Sequence, residues 1–443
     1  MFKILKNQLL ILLTLFILVS YFTFSNELIT NPRLKAWIKW IKSNPYTDQL
    51  SGVIINEDGG IDSTTTNLEA LAKIDTLDCT NSKLINIDEL IRHMPNLKTL
   101  KCSYNSLIEL DVSNNIKLET LHCYHNLLAE LDVSKNIKLI TLTCNNNLLT
   151  NLDISKNIEL MQLACCVNQI NNLDITNNIN LTGLVCSENQ MTSLDVSNNI
   201  ELITLTCNNN QITRLDLINN INLKGLVCSE NQLSSLDISN NIGLGTLNCD
   251  NNQLISLDVS KNIELIRLYC NNNQISNLDV SNNTKLMWLE CCTNQLTNLD
   301  ISKNRQLGEL HCYNNQLASL DISSQSDLWV LRCCMQAEGF ILYLTNEQMK
   351  EFTEENYCDA ILEEKDGSIC EIEWLGIYPN PTAGKFFIES KLFTDEIKIL
   401  NLVGKVLYKK ALNAEKTEID ISNLPAGVYL VITKGKIGKV VKN

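Results

Sequence analysis

The sequence predicts an elongated solenoid of stacked coils, closed at its start by a short helix and followed by a small antiparallel β-sandwich. Three observations carry this expectation. Twelve of the 18 cysteines, from Cys102 to Cys333, each stand 21 residues after the last. Every unit then has leucine five and two residues before its cysteine, as in Leu97 and Leu100 or Leu286 and Leu289. Finally, composition changes near residue 375. Residues 375–443 carry 11 lysines against 6 acidic residues, a net +5, against −19 for the rest of a chain whose total is −14.

Residues 1–25 have the pattern of a secretory signal: Lys3 and Lys6, an apolar run over residues 9–24, and Thr23, Phe24 and Ser25 at the cleavage end. That run of 16 falls short of the roughly 20 apolar residues a membrane-spanning helix needs, so cleavage, with no stable span afterwards, is expected. Residues 26–76 read as an N-terminal cap. Asn31 and Pro32 are an N-cap and first helical residue, and Leu34, Trp37, Ile38 and Ile41 form one apolar face. Trp40 with Arg33, Lys35, Lys39 and Lys42 would also suit a membrane surface, but a solenoid needs its open end covered. In the loop at 56–62 a calcium site would place its first and twelfth ligands at Ile54 and Thr65, so it reads as a turn.

Residues 77–338 hold the repeats. Beyond the leucines, asparagine stands three residues after the cysteine in eleven of the twelve units, from Asn105 to Asn315, and leucine and aspartate follow at eight and nine, as in Leu110 and Asp111. Leucine and cysteine alternate with variable residues, so a short strand turns one constant face to the core. The asparagine falls where that strand must turn, and stacked amides can bond the backbone groups a corner leaves unpaired. The Leu-Asp-Val/Ile-Ser-x-Asn half reads as a second, opposite corner. The unit LxxLxCxxNxLxxLD[VI]SxNxx closely resembles the leucine-rich repeat family, in the 21-residue class of bacterial surface proteins. The resemblance implies one parallel strand per repeat on a concave face.

The cysteine series fits neither disulfides nor a metal. Strands stack about 4.7 to 4.9 Å apart, whereas a disulfide wants Cβ atoms about 3.5 to 4.5 Å apart. Nor does a straight row converge on one point as zinc ligands must. Buried thiols used as small apolar core residues are expected. After Cys333 the unit breaks down, with Gln336 in place of the asparagine, and residues 339–374 read as a capping strand, a short acidic helix and a linker. Cys358 and Cys370 lie off the ladder, where an exported protein can pair them.

Residues 375–443 show alternating strands in KFFIES, EIKILNLVGKVLYKK, TEIDIS and GVYLVIT, which suits an antiparallel β-sandwich. IYPNPTAGKFFI, ILNLVGKVLYK and LPAGVYLVI together resemble the type A sorting domain of the bacterial type IX secretion system. The motif residues are Tyr378, Pro379, Asn380, Pro381, Gly384, Gly404, Lys405, Leu424, Pro425, Gly427 and Tyr429. The resemblance implies inner-membrane export and guidance across the outer membrane by type IX machinery. Release, or display on the surface of a Gram-negative cell, would follow.

Function in such an array belongs to the variable positions beside each cysteine. In the middle these are bland: Thr141, Thr143, Gly183, Val185, Thr204, Thr206. Toward the C-terminal end they become Arg267, Tyr269, Trp288, Glu290, Glu309, His311, Tyr313 and Arg332, with Trp329 close by in sequence. Arginine and aromatic residues dominate binding hot spots, so this set is the expected ligand-binding patch for a protein or glycan. His122 with Tyr124 is a smaller candidate. A pI near 4.9 argues against nucleic acid. No HExxH, GxSxG or phosphate-cradling glycine loop occurs, and no metal or cofactor is called for. The best catalytic alternative, Cys292 and Cys334 near His311 and Glu290, has a simpler reading as small rim residues. A binding protein, adhesin-like or ligand-recognising, is therefore expected, and a structural part of the cell-surface layer is the alternative.

Overall fold

The computed structural model describes residues 27–43, 49–365, 373–374, 377–389, 396–401, 405–411, 416–433 and 436–443. The signal-like segment, Gly404 and Cys370 lie outside these residues. The chain forms two compact units, Met1–Lys365 and Asp366–Asn443, each with its own core.

In the first unit, thirteen parallel strands of three residues each, from Thr76–Asp78 to Val330–Arg332, form one continuous sheet. Register is strict: Arg267 pairs with Trp288, Trp288 with Glu309, and Glu309 with Val330. The middle residue of every strand is a buried leucine. The cysteine ladder runs beside it, and its thiols are free and buried. It has thirteen rungs, because Cys79 precedes Cys102. A helical turn at Asp88–Ile91 lengthens that first coil, so the interval is 23 residues and falls outside the period.

Side-chain amides staple successive coils together at both corners. At the first, Asn126 accepts the Leu107 N–H at 3.0 Å and donates to the carbonyls of Cys102 and Cys123, each at 3.0 Å. The pattern repeats along the array. Gln336 continues it in the last coil, accepting from Leu317 and donating to Cys312. At the opposite corner Asp132 accepts the Ser134 N–H, and the fully buried Asn136 donates to Val112 and Asn115. Gln325 and then Gln348 take over this second column at the C-terminal end. The residue two after each cysteine has a left-handed backbone, with φ between 51° and 57° from Tyr104 to Met335. Asparagine tolerates that region best, and it fills five of these positions, Asn146, Asn209, Asn251, Asn272 and Asn314.

Both ends of the array are covered. The N-terminal helix Pro32–Lys42 is capped by the Asn31 carboxamide and buries Leu34, Trp37, Ile38 and Ile41 in the core of the array. The loop at 56–62 is a turn closed by Asn56 N–H to Gly60, and Lys35 holds its Asp58 at 2.9 Å. A side chain at Gly59, whose φ is 95°, would strike the Lys35 carbonyl. At the other end Ser319–Asp321, Ile341–Leu344 and Ile361–Glu364 form a separate three-stranded parallel sheet. Between its last two strands lie helical turns at Gln348–Glu351 and Glu354–Tyr357.

The pairing of Cys358 departs from expectation. Its partner is Cys334 in the last coil, 24 residues away, and not Cys370. The turn Glu354–Tyr357 lies across the end of the ladder, where Asn356 accepts the Cys333 N–H and donates to Leu331. This brings Cys358 over the last coil and closes the open end of the strand stack. It also removes Cys334 from any nucleophilic or metal role. Cys358→Ser is expected to destabilise the C-terminal cap by about 3 kcal/mol, the loop-closure value for such a span. Earlier proteolysis of the 334–365 segment should report it.

The second unit is a β-sandwich of two sheets. One orders Glu373–Trp374, Lys436–Lys442, Gly427–Thr433, Glu396–Leu400 and Val406–Ala411; the other holds Ile377–Tyr378, Lys385–Glu389 and Lys416–Asp420. Phe386, Ile388, Ile397, Ile399, Ile419, Tyr429, Val431 and Val440 are among its core residues.

Candidate functional site

The eight predicted ligand-binding residues all lie on or beside the last four strands of the long sheet, and five of the eight, Arg267, Trp288, Glu290, His311 and Tyr313, meet a named side-chain neighbour. Arg267, Trp288 and Glu309 start successive strands, and Tyr269, Glu290, His311 and Arg332 end them. Tyr313 follows one residue beyond the ladder cysteine. The guanidinium of Arg267 lies 4.3 Å from the centre of the Trp288 ring, and Trp329 meets Trp288 edge-on at 6.3 Å. Trp329 can lie there because the preceding coil has Gly308; a Cβ at that position would overlap the indole at 2.1 Å. Trp329 remains 55% exposed.

A polar group adjoins this pair. Glu290 lies 3.7 Å from His311 Nδ1 and accepts a hydrogen bond from Asn271 at 2.9 Å, while the buried His311 Nε2 has no hydrogen-bond partner. Asp250, one strand earlier, accepts the Asn271 backbone N–H, and burial, with Glu290 and Glu230 nearby, pushes its carboxyl up to about 6. Cys292 is not a rim residue: it is buried, hydrogen-bonded to Tyr313, and its thiol is pushed up to about 12 by burial. Tyr313 thus covers Cys292, and a thiol so held protonated is a poor nucleophile. Among the described residues Arg267, Glu309 and Arg332 enter no ion pair within 4.0 Å, and Arg267 and Arg332 are exposed. No group of three or more metal-binding side chains occurs among the described residues. The arrangement offers an aromatic platform flanked by two arginines and an acidic–imidazole pair, which suits recognition.

Asp250, Asn271 and Gly308 were not part of the expected set. Trp329, named from the sequence only as a nearby residue, stands four residues before Cys333, directly over a glycine in the preceding unit.

At the other end the aromatic group differs from expectation. His122 is bound to Thr143 Oγ1 at 2.7 Å, with its imidazole pushed down mainly by burial. Tyr124 instead meets Tyr104 at 5.2 Å, and Tyr104 stacks on His125 at 4.5 Å. A cavity of about 890 Å³ also opens beside the N-terminal helix, lined by Arg33, Trp37, Trp40, Asp78, Asn81 and Lys83.

In the second unit Asn380 donates to Lys439 at 2.6 Å and accepts from Val441 at 2.8 Å, tying the Tyr-Pro-Asn-Pro segment to the last strand. Tyr429 donates to the Pro425 carbonyl at 2.6 Å. Gly384, with φ 133°, leaves no room for a Cβ against Ser422. The expected motif residues that are described, Tyr378, Asn380, Gly384, Pro425 and Tyr429 among them, therefore belong to one small fold.

Residues 376–443 match the family model described as secretion system C-terminal sorting domain. The functional domain of InlJ from Listeria monocytogenes, described as including a cysteine ladder, superposes with a TM-score of 0.59 at 27% identity, over 92% of this chain and 97% of that one. The chain has the leucine-rich repeat fold and ends in a segment of the sorting-domain family. The internalin InlF of the same organism (22% identity, TM-score 0.58, 76% of this chain and 91% of that one) shares the leucine-rich repeat fold. So does the leucine-rich repeat protein LIC12759 of Leptospira interrogans (22%, TM-score 0.55, 67% and 86%). A curated relative, ulvan lyase NLR42 of Nonlabens ulvanivorans, is 31% identical over 72 residues, 16% of this chain and 14% of the lyase. That match is confined to the tail and does not reach the leucine-rich repeats.

Proposed function

We propose that this leucine-rich repeat protein is exported by type IX secretion from a Gram-negative bacterium, displayed or released at its outer surface, and binds a macromolecular ligand there. The ligand lies on the last four strands of the long sheet. One observation carries the reading: side chains on this face are uncharged and without aromatic rings through the middle of the array, mostly threonine, glycine, valine and alanine. Over four adjoining strands they give way to Arg267, Trp288, Trp329, Glu290, His311, Tyr313 and Arg332. A face evolved only for solubility has no need to gather two tryptophans and two arginines free of ion pairs. Their chemistry fits a protein surface that offers carboxylates to Arg267 and Arg332 and an apolar anchor to the Trp288–Trp329 pair. The sorting domain supplies the route and takes no part in recognition.

The test compares the full chain with a Trp288→Ala, Tyr313→Ala, Arg332→Ala variant. A partner captured from cell-surface extracts by the wild type is expected to bind the folded variant at least about 100-fold more weakly, as loss of central anchors does. Equal binding by both would move the site elsewhere on the array.

A further inference from the structure

The repeat carries a second ladder that recognition does not use. Ile116, Ile137, Ile158, Ile179, Ile200, Ile221, Ile242 and Ile263 occupy one position of eight consecutive coils, seven residues before the cysteine. All eight are exposed, by 50% at Ile200 to 60% at Ile242. Each sits in the turn between a buried asparagine and a buried leucine, as Ile116 does between Asn115 and Leu118, and so points away from the core. Three residues further on, where the chain reaches the sheet and at the repeat position that Trp329 holds in the last coil, Ile140, Met161, Ile203 and Ile266 are also exposed, but they belong to the sheet side and not to this ladder. Where the ladder stops, Thr284, Arg305 and Ser326 follow in its place. Those coils are the ones that bear Trp288, His311 and Arg332.

We propose that this edge is the interface of an antiparallel homodimer. Half-exposed isoleucines contribute roughly 100 Å² each, about 800 Å² for the eight, which is the share per partner of a standard protein–protein interface. Apolar patches on soluble monomers seldom exceed about 300 to 600 Å². At about 4.8 Å per coil the ladder is roughly 34 Å long. Two copies of one ladder share the same period, so they mesh along their whole length under a two-fold axis.

The charges beside the ladder choose the direction. The residue after each isoleucine runs Lys117, Lys138, Glu159, Asn180, Glu201, Asn222, Gly243, Glu264. With the two-fold axis between Ile179 and Ile200, Lys117 faces Glu264 of the second copy, a carboxylate that Lys285 of its own chain already holds at 2.6 Å, Glu159 faces Asn222, and no two residues paired across the axis carry like charges. A parallel pairing would set Lys117 against Lys117 and Glu264 against Glu264. The dimer leaves the patch of Arg267 to Arg332 free in both copies, one near each end. Bivalent display of this kind raises avidity without any new contact.

Sedimentation equilibrium on the full chain tests this. Wild type is expected to be dimeric at micromolar concentration, and Ile179→Asp with Ile200→Asp, which places four carboxylates at the axis, is expected to raise the dimer Kd by about 100-fold or more. Both positions are at least half exposed, so the variant should keep its circular dichroism. Independently, Lys117→Glu should weaken the dimer and Glu264→Lys added to it should restore it. A wild type that stays monomeric at 100-fold higher concentration, or a dimer indifferent to the aspartates, overturns the proposal. Failure of the charge reversal to rescue overturns the antiparallel geometry.

Discussion

Raising the pH from 8 to about 10 is expected to unfold the solenoid cooperatively. The thirteen ladder thiols are buried, and burial pushes each of them upward, to about 12 at Cys123 and Cys207. A cysteine in the unfolded chain titrates near 8.5. Below that value both states hold the proton and stability does not depend on these groups. Above it the unfolded chain releases protons that the folded chain keeps, so stability falls as pH rises, by about 1.4 kcal/mol per pH unit for each thiol. At pH 10 each rung has lost about 2 kcal/mol, and the ladder roughly 25 kcal/mol. A repeat array of this length, at about 0.05 to 0.15 kcal/mol per residue, has roughly 13 to 40 kcal/mol in total. Urea unfolding under anaerobic conditions at several pH values measures the slope directly. Replacing Cys123, Cys207 and Cys228 by alanine should remove about three protons from it, even though the cavities cost stability at neutral pH. Stability flat between pH 8 and 10 would mean that the thiols are not shielded as a column.

The array was legible in the sequence because stacking forces identical demands on every coil: a leucine and a cysteine inward, an amide at each corner. What escaped depends on local exceptions or on exposure. Cys79 belongs to the ladder, but the turn at Asp88–Ile91 stretches its coil and breaks the period. The Cys334–Cys358 bond requires the turn Glu354–Tyr357 to lie across the last coil, which no spacing records. Ile116 and Leu118 look alike in sequence, yet a tight turn can bury only one of them, and only the fold says which. The patch residues were named from sequence because the positions beside the cysteine alternate with it. Their mutual contacts, Arg267 on Trp288 and Trp329 over Gly308, depend on the in-register stacking of strands and on the size of a residue one coil away.

The corner amides predict the other large effect, and it separates hydrogen bonding from packing. Asn147 accepts the Leu128 N–H at 3.0 Å and donates to the carbonyls of Cys123 and Cys144 at 3.1 and 3.0 Å. Asn147→Ala leaves these backbone groups without partners in a site that water does not reach. At about 1 to 3 kcal/mol for each orphaned group, the expected loss is about 4 kcal/mol, large beside the typical ~1 kcal/mol of a point substitution. Asn147→Asp keeps the shape and the acceptor but turns a carboxylate oxygen toward two carbonyls, so it should be at least as damaging as alanine. Lowering the pH should partly rescue it, because a protonated carboxyl can donate to one of them. Asn147→Gln should cost less than either, since Gln336 makes the equivalent bonds to Leu317 and Cys312 in the last coil. If alanine, aspartate and glutamine at 147 destabilise equally in urea, the ladder acts by filling space. The expected order, glutamine mildest and aspartate pH-dependent, follows only if the amide serves as one acceptor and one donor shared between two coils.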